Sequence, residues 1–304
     1  MNNFLDFYKN NRGTILVIIW ILAFLLIGFF ILGQVSKRIS NSTTAISVDN
    51  LYKSYTFETT QLNNIEINLI SENLIVQPAN DNKITVELYG SWNSQIEPNI
   101  DCNNSNLIIK QKTKRFFNFG QKFVLVKLPA NAVTSNTNFN AELVSGRFEM
   151  HDFNLNKMNV ETVSGTSFIK NIESEKLNVN STSGKINIEN STIKKLDVYS
   201  TSGAINMEGM YNKISAEAVS GKITVINKKD FESNSDFSAI SGSIQLYLPA
   251  DANPELNCSS TSGHVYSEYH DSKTKKLKDK IGSGLYELKA KSVSGSVKIN
   301  KLNK

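Results

Sequence analysis

The sequence predicts an all-β protein whose main domain is a parallel, single-stranded β-helix, or β-solenoid. Three observations lead to this fold class. Eight Ser-Gly dipeptides between residues 145 and 295 follow a β-branched residue, apolar and polar residues alternate on both sides of each of these eight, and their spacing recurs along the chain. A recurring spacing of this kind is typical of stacked structural units. The glycines are Gly146, Gly165, Gly184, Gly203, Gly221, Gly242, Gly263 and Gly295.

The alternation around each glycine predicts two strands per repeat, each with one buried face. Positions seven and five before the glycine, and two and four after it, are apolar in 29 of 32 cases. The intervening positions are apolar in only 4 of 32 cases. Successive side chains of a strand point to opposite faces, so a period of two indicates strands rather than helices.

The Ser-Gly turn explains why one short unit can repeat. The β-branched residue before it favours extended backbone, and glycine tolerates a positive φ or a closely packed neighbouring backbone. One unit cannot bury its own apolar face, whereas stacked units form a continuous core. We therefore expect about eight Ser-Gly rungs that pair in parallel.

The chain divides into four predicted regions: a short cytoplasmic tail over 1–13, a transmembrane helix over 14–33, a polar tether over 34–56 and the β-solenoid over 57–304. Residues 14–33 carry no charge and are long enough to span a bilayer. A cleaved signal peptide is the alternative, but the apolar run is long and no small-x-small cleavage site follows. The flanking charges do not set the orientation. We expect a single-pass protein of the cell membrane with an extracytoplasmic C-terminal domain.

Less regular β segments lie between the tether and the first Ser-Gly turn, over 65–70, 83–90, 106–110 and 122–130. They are expected to form the N-terminal end of the solenoid, because terminal repeats must close an open edge. At the other end, Lys298, Lys301 and Lys304 are expected to protect the last strand from edge-to-edge association.

The recurrent (Thr/Val)-Ser-Gly-x-Ile-x-Ile pattern resembles the bacterial putative-adhesin repeat domain, a family of unknown function. The segments over 128–130 and 248–250, both Leu-Pro-Ala, and the Gly-Ser-Gly element over 282–284 add to the resemblance. It covers the chain from about residue 65 to the C-terminus. The resemblance implies a parallel β-helix in a bacterial cell envelope. It transfers no catalytic residue, and some members are linked to envelope-stress signalling.

Enzymatic and cofactor chemistry have little support in the sequence. Glu142 and Glu161 occupy the same outward position of adjacent rungs, where paired carboxylates could serve acid/base catalysis, but a solvated outer face explains them better. The recurring serines lack a nucleophile elbow or a repeated base. The three histidines do not have zinc-ligand spacing, and no nucleotide-binding motif occurs. We predict no enzyme activity, no metal and no cofactor.

Cys102 and Cys258 are the only cysteines. A disulfide is possible in an extracytoplasmic domain. Cys258, however, occupies an inward position of its repeat, so a buried, reduced cysteine is the preferred interpretation.

Two segments concentrate positive charge. Residues 111–122 contain four basic residues beside three phenylalanines, and residues 271–280 contain five lysines and two aspartates. They could contact anionic polymers or lipid headgroups; alternatively, the phenylalanines pack on the solenoid and the lysines keep two loops soluble. The candidate contacts with an anionic ligand are Lys112, Lys114, Arg115, Lys122, Lys273, Lys275, Lys276 and Lys278.

Together these features predict a membrane-anchored, extracytoplasmic β-solenoid that acts as a non-enzymatic adhesion, scaffold or envelope-binding module. The expected partners are a cell-envelope glycan, an anionic wall polymer or lipid surface, or a membrane protein. Nucleic acid is not expected, since the basic residues form local segments without a reader motif. An envelope-stress sensor that acts through a membrane partner is the alternative, and a polysaccharide-processing enzyme is a third hypothesis.

Overall fold

The computed structural model describes residues 50–58, 61–111 and 120–302. The predicted cytoplasmic tail and transmembrane helix, and the tether up to residue 49, lie outside these ranges. Within the described ranges, no helix has the length and apolar character needed to cross a membrane. Residues Asn50–Lys304 form one compact unit of the chain.

The described residues form twenty-one β-strands and no α-helix, which confirms the all-β fold class. The strands are β1 (Leu51–Glu58), β2 (Asn64–Leu69), β3 (Asn73–Pro78), β4 (Lys83–Gly90), β5 (Asn99–Asn103), β6 (Asn106–Lys110), β7 (Lys122–Leu128), β8 (Asn138–Ser145), β9 (Phe148–Ser164), β10 (Ser167–Ser183), β11 (Ile186–Ser202), β12 (Ile205–Ser220), β13 (Ile223–Asn227), β14 (Ser235–Ser241), β15 (Ile244–Pro249), β16 (Pro254–Ser260), β17 (Val265–Ser267), β18 (Ser272–Thr274), β19 (Lys276–Lys280), β20 (Tyr286–Ser292) and β21 (Val297–Leu302).

The central repeats pair in parallel and in register, as the Ser-Gly spacing predicts. β9, β10, β11 and β12 lie side by side, and equivalent residues of successive repeats are direct partners. Leu177, for example, pairs with Met158 of the preceding repeat and Leu196 of the following one. The same side chains are fully buried. Each rung therefore adds one apolar layer to a continuous core.

Glycines stack at the Ser-Gly corner of the rungs. Gly184 has a φ of 154° and lies against the backbone of Gly165, so that a Cβ on Gly184 would come closer than 3.0 Å to the Gly165 carbonyl oxygen. L-residues other than glycine rarely adopt such a φ, and no side chain fits between two backbones this close. The recurrence of glycine at this corner thus follows from the stacking itself.

A second corner uses asparagine and aspartate in place of glycine. Asp152, Asn171 and Asn190 have φ values of 65°, 51° and 48°, in the left-handed region that these two residue types tolerate best. The Asn171 side chain donates a 2.6 Å hydrogen bond to the Asp152 carboxylate of the adjacent rung. The chain turns at this corner, so the long strands β9, β10 and β11 each continue from one side of the solenoid onto the next.

The order of the rungs at the C-terminal end differs from the order in the chain. β20 lies between β14 and β16, and β21 lies between β15 and β17. The last rung in the sequence, which contains Gly295, is therefore inserted between the rungs of Gly242 and Gly263. The outermost strands are β18 and β19, which pair antiparallel with β17 and β16. The expectation that Lys298 protects an edge strand is wrong, because Lys298 pairs with β15 on one side and β17 on the other. Lys301 lies beyond the pairing with β17 and has a strand partner only in β15.

The N-terminal end has a comparable arrangement, which confirms that the irregular segments belong to the solenoid. β2 and β3 pair with β8 and β9 on one side and with β6 and β7 on the other, always in parallel. Antiparallel strands then close the end: β5 on β6, β4 on β7 and β1 on β4. Since β1 begins at Leu51, residues 51–56 are part of the β domain and not of the predicted tether.

Candidate ligand-binding face

The segment predicted as a basic loop over 271–280 forms two edge strands, β18 and β19. It is therefore not a flexible loop within this structure. Lysine is a common residue on such edges, because its charge and long side chain discourage pairing with another strand. This arrangement accounts for part of the lysine content without any ligand.

Strand β19 brings two of the predicted contact residues onto an outer face shared with the last rung. Lys276 and Lys291 lie on opposite sides of Ser259, and Lys278 and Lys289 lie on opposite sides of Asn257. Neighbouring strands are about 4.8 Å apart, so the two lysines of each row are roughly 10 Å apart at the backbone. We call Lys276, Lys278, Lys289 and Lys291 the C-terminal basic face.

The charges of this face are only partly compensated. Lys289 forms a 3.0 Å ion pair with Asp236. Within the described ranges, Lys276, Lys278 and Lys291 have no ion-pair partner, and all three are exposed. Three ammonium groups are therefore available to an anion at one end of the stack.

The other two predicted lysines of this segment lie beside the basic face. Lys275, which is exposed, donates a 3.1 Å hydrogen bond to the Thr261 carbonyl oxygen. Lys273 belongs to β18 and pairs with Tyr266, whose other neighbour is Lys298 of β21. The insertion of the last rung thus brings Lys289, Lys291 and Lys298 to a site that the sequence analysis assigned only to residues 273–278. All three lysines occupy outward-facing strand positions around Gly295, and this pattern in the sequence could have predicted their place on the outer face.

The assignment of Lys122 as an exposed ligand contact is wrong. Lys122 is the first residue of β7, and its side chain is buried against Trp92, with the ammonium 5.2 Å from the ring centroid. Its Nζ forms a 3.0 Å ion pair with the fully buried Glu72. The same carboxylate accepts hydrogen bonds from the backbone N–H of Ser71 and from the Ser71 hydroxyl. The Lys122 charge is therefore already compensated inside the protein and is not exposed to a ligand.

Lys112, Lys114 and Arg115 lie outside the described residues. Their contact with an anionic ligand therefore stays a prediction.

The structure confirms that Glu142 and Glu161 are neighbours on adjacent rungs. Both are exposed and line an open groove of about 840 Å³ that crosses β2, β6 and β8 to β11. The floor of the groove is largely apolar, with Ile70, Val144 and Val163 exposed. Like charges directly opposite each other across a strand pair are unfavourable, and exposure to water limits that cost here.

The described residues contain no cluster of three or more potential metal ligands. His151 contacts its neighbour Asp152, with 2.7 Å between Nδ1 and a carboxylate oxygen, and His270 Nε2 lies 3.2 Å from Asp279. The two cysteines are free. Cys258 is buried as predicted, and this burial raises the pKa of its thiol to about 12. A thiol of such high pKa is an inert apolar group at neutral pH.

The family comparison covers most of the described domain. A family model described as Toastrack DUF4097 matches residues 62–300. The chain belongs to this family. Its match begins just before β2 and ends within β21, so it contains all eight Ser-Gly rungs. No protein of curated function matches the chain.

Solved structures resemble this member of the Toastrack family at low sequence identity. A structure named as a putative adhesin from Bacteroides fragilis is 16% identical, with a TM-score of 0.46, and the match covers 84% of this chain and 98% of that one. A putative adhesin from Parabacteroides merdae is 13% identical, with a TM-score of 0.43 and coverages of 84% and 98%. A putative lipid binding protein from Parabacteroides distasonis is 14% identical, with a TM-score of 0.40 and the same coverages. No function follows from likenesses this distant.

Proposed function

We propose that this protein is a membrane-anchored, non-enzymatic binding module that displays its Toastrack domain outside the cytoplasm and holds anionic polymers of the cell envelope. The observation that carries the proposal is the C-terminal basic face. Three of its lysines are exposed and lack an ion-pair partner among the described residues, and they lie on a rigid sheet. A polyanion can contact several of them at once.

The geometry of the face suits a repeated ligand better than a small one. In an extended strand, Lys276 and Lys278 point to the same side and are about 6.8 Å apart. Lys291 lies two strands away from Lys276. A flat array of separated charges offers no enclosed volume for a small molecule, whereas a chain of regularly spaced anionic groups can follow it.

Binding is best measured with the fragment Asn50–Lys304, which contains β1 complete and forms one compact unit. The ligands are an anionic wall polymer, an acidic cell-wall glycan, and vesicles of anionic or zwitterionic lipid. The test variant carries Lys276→Gln, Lys278→Gln and Lys291→Gln. A control variant carries Lys170→Gln, Lys185→Gln and Lys222→Gln, three exposed lysines that lie away from the basic face. The two variants lose the same net charge.

We expect the wild-type fragment to bind at least one anionic ligand, with an affinity that decreases as salt is added. Exposed ion pairs contribute about 0.2–1 kcal/mol each. The triple change in the basic face should therefore weaken binding roughly 3- to 100-fold. Equal loss in the control variant would show a general charge effect and would contradict the proposed site. Degradation of the ligand would point instead to an enzyme and to Glu142 and Glu161. An absence of binding would favour a protein partner, as in the stress-sensor alternative.

The anchor is the second part of the proposal and has its own test. Residues 14–33 form an uncharged apolar segment of sufficient length. Deletion of residues 1–33 should move the protein from the membrane fraction to the soluble fraction. In cells whose cytoplasmic membrane is intact and whose outer envelope layers are removed, externally added protease should digest the C-terminal domain. Protection of that domain in intact cells, with digestion after lysis, would contradict the extracytoplasmic location.

A further inference from the structure

Four lysines form a row on the outer face of the central rungs. At one end the row reaches the depression that also contains Lys289 of the C-terminal basic face. Lys176 pairs in register with Lys157 on one side and Lys195 on the other, and Lys195 pairs with Lys213. Each lysine lies eight positions before the glycine of its rung. We call Lys157, Lys176, Lys195 and Lys213 the lysine ladder.

The ladder is electrostatically unfavourable as it stands. Its members follow one another at the spacing of neighbouring strands, about 4.8 Å, and like charges directly opposite each other destabilise a sheet. One carboxylate serves two of them: Asp197 lies 3.6 Å from Lys176 and 3.5 Å from Lys195. Within the described part of the chain, Lys157 and Lys213 have no ion-pair partner. A ligand that adds negative charge along the row would relieve this repulsion.

The ladder connects two depressions of the outer face. The first, of about 540 Å³, contains Lys157, five asparagines of β2, β6, β8 and β9, the Glu66 carboxylate and four apolar residues. The second, of about 350 Å³, contains Lys195 and Lys213 with Ser215 and Asn234, and also Lys289 and three carboxylates, those of Asp197, Asp236 and Glu287. Polar side chains therefore continue beyond the lysines in both directions along the stack.

The asparagines of the first depression retain capacity for a ligand. Asn64 donates to Asn106 at 2.9 Å and accepts from Asn138 at 3.4 Å. On the next row, Asn178 donates to Asn159 at 2.7 Å. A side-chain amide has two N–H donors and an oxygen with two lone pairs. One donor and one acceptor per amide are enough to join this row of asparagines, which leaves a second N–H of each amide for a sugar hydroxyl. The Asn178 oxygen is buried and not available to a ligand.

We propose that the lysine ladder and the flanking asparagines bind a linear acidic glycan that lies along the stack of rungs. Regularly spaced carboxylates would meet the ammonium groups, and sugar hydroxyls would meet the amides. The length of one sugar ring is close to the spacing of about 4.8 Å between strands, so successive sugars can match successive rungs. The ligand class rests on the proposed function, since it is an anionic polymer of the envelope, but the residues are distinct from the C-terminal basic face.

The test uses the full-length chain purified in a neutral detergent and oligogalacturonates of increasing length. We expect the affinity to rise with length until the oligomer spans the four rungs, about 14 Å, and to decrease with added salt. The ladder variant carries Lys157→Gln, Lys176→Gln and Lys213→Gln and keeps the Lys195–Asp197 pair. It should bind at least tenfold more weakly than the control variant at Lys170, Lys185 and Lys222. Thermal unfolding should show an increase in Tm with ligand for the wild type and little or none for the ladder variant.

Further probes separate this proposal from the proposed function. Methyl-esterified oligogalacturonate, which lacks the charges, should not bind measurably. Inorganic polyphosphate carries charge without sugar hydroxyls, and equally tight, ladder-dependent binding of polyphosphate would overturn the glycan assignment.

Loss of oligogalacturonate binding in the basic-face variant, but not in the ladder variant, would overturn the ladder and leave the proposed function intact. Loss in the ladder variant alone supports the ladder. A failure of every oligogalacturonate to bind at millimolar concentration would overturn the ladder proposal, whatever the wall polymers and vesicles show.

Discussion

Replacement of one stacked glycine tests the packing of the rungs most sharply. In Gly184→Ala, the new methyl group would meet the Gly165 carbonyl oxygen at less than 3.0 Å, and the φ of 154° is one that alanine rarely adopts. Strain of this type costs about 1–3 kcal/mol. The rung must also move away from its neighbour, which weakens adjacent backbone hydrogen bonds such as the 2.9 Å bond from Gly184 N–H to the Ser202 carbonyl. Each such bond contributes about 1 kcal/mol. We expect a total loss of about 2–5 kcal/mol in the free energy of unfolding.

The assay is urea unfolding of the fragment Asn50–Lys304, followed by circular dichroism. Lys185→Ala is the matched control, because Lys185 belongs to the same turn but is exposed, and surface changes usually stay within about 0.5 kcal/mol. For a domain of this size, a loss of 2–5 kcal/mol also lowers Tm by roughly 4–20 °C. If Gly184→Ala unfolds within about 0.5 kcal/mol of wild type, the glycines are not closely stacked and the explanation of the repeat fails.

Two further changes test the interior, both by urea unfolding. Glu72→Gln leaves the Lys122 ammonium buried without its counter-charge and should cost about 3–5 kcal/mol. Glu66→Gln removes the 2.9 Å surface pair with Lys110 and should cost less than about 1 kcal/mol; equal effects would contradict the buried pair. The pKa of Cys258 is raised from 9.0 to about 12 in the folded state, so its contribution is complete below pH 9 and is lost as the pH rises from about 9 toward 12. At pH 10 the loss is about 1 kcal/mol. Cys258→Ala should be less sensitive to alkaline pH than wild type, and an identical pH dependence would refute the buried thiol.

The central rungs could be predicted because their signals are local and repeated. Alternation around each glycine indicates which side chains face inward, and Leu177 and Val179 are indeed fully buried. The Ser-Gly period predicts parallel pairing, and the stacked glycines follow from it. These features depend only on the residues of one unit and its copies.

The ends of the stack could not be predicted in the same way. A Ser-Gly turn does not specify which other rung it contacts, so nothing in the sequence placed Gly295 between Gly242 and Gly263. The spacing of 32 residues before Gly295 was the one sign of an irregularity. It reflects the antiparallel excursion through β18 and β19 before the last rung begins.

Some misassigned residues did carry a local signal. Lys122 has the same strand parity as Val124, Val126 and Leu128, which are buried, so alternation alone places it inward. Its partner Glu72 lies in the connection between β2 and β3 and is distant in sequence, and only the fold brings the two together. The lysine ladder was visible as a common position eight residues before four successive glycines. This position lies just outside the strand positions whose alternation predicts the buried face.

We propose above that this Toastrack domain holds anionic envelope polymers without altering them. The decisive measurement is a titration of the fragment Asn50–Lys304 with an anionic wall polymer and with an acidic cell-wall glycan. The length of each polymer is monitored during the titration. We expect saturable, salt-sensitive binding of polymer that stays intact, and weaker binding when Lys276, Lys278 and Lys291 are replaced by glutamine. Shortened polymer, or affinity that these replacements leave unchanged, would contradict it.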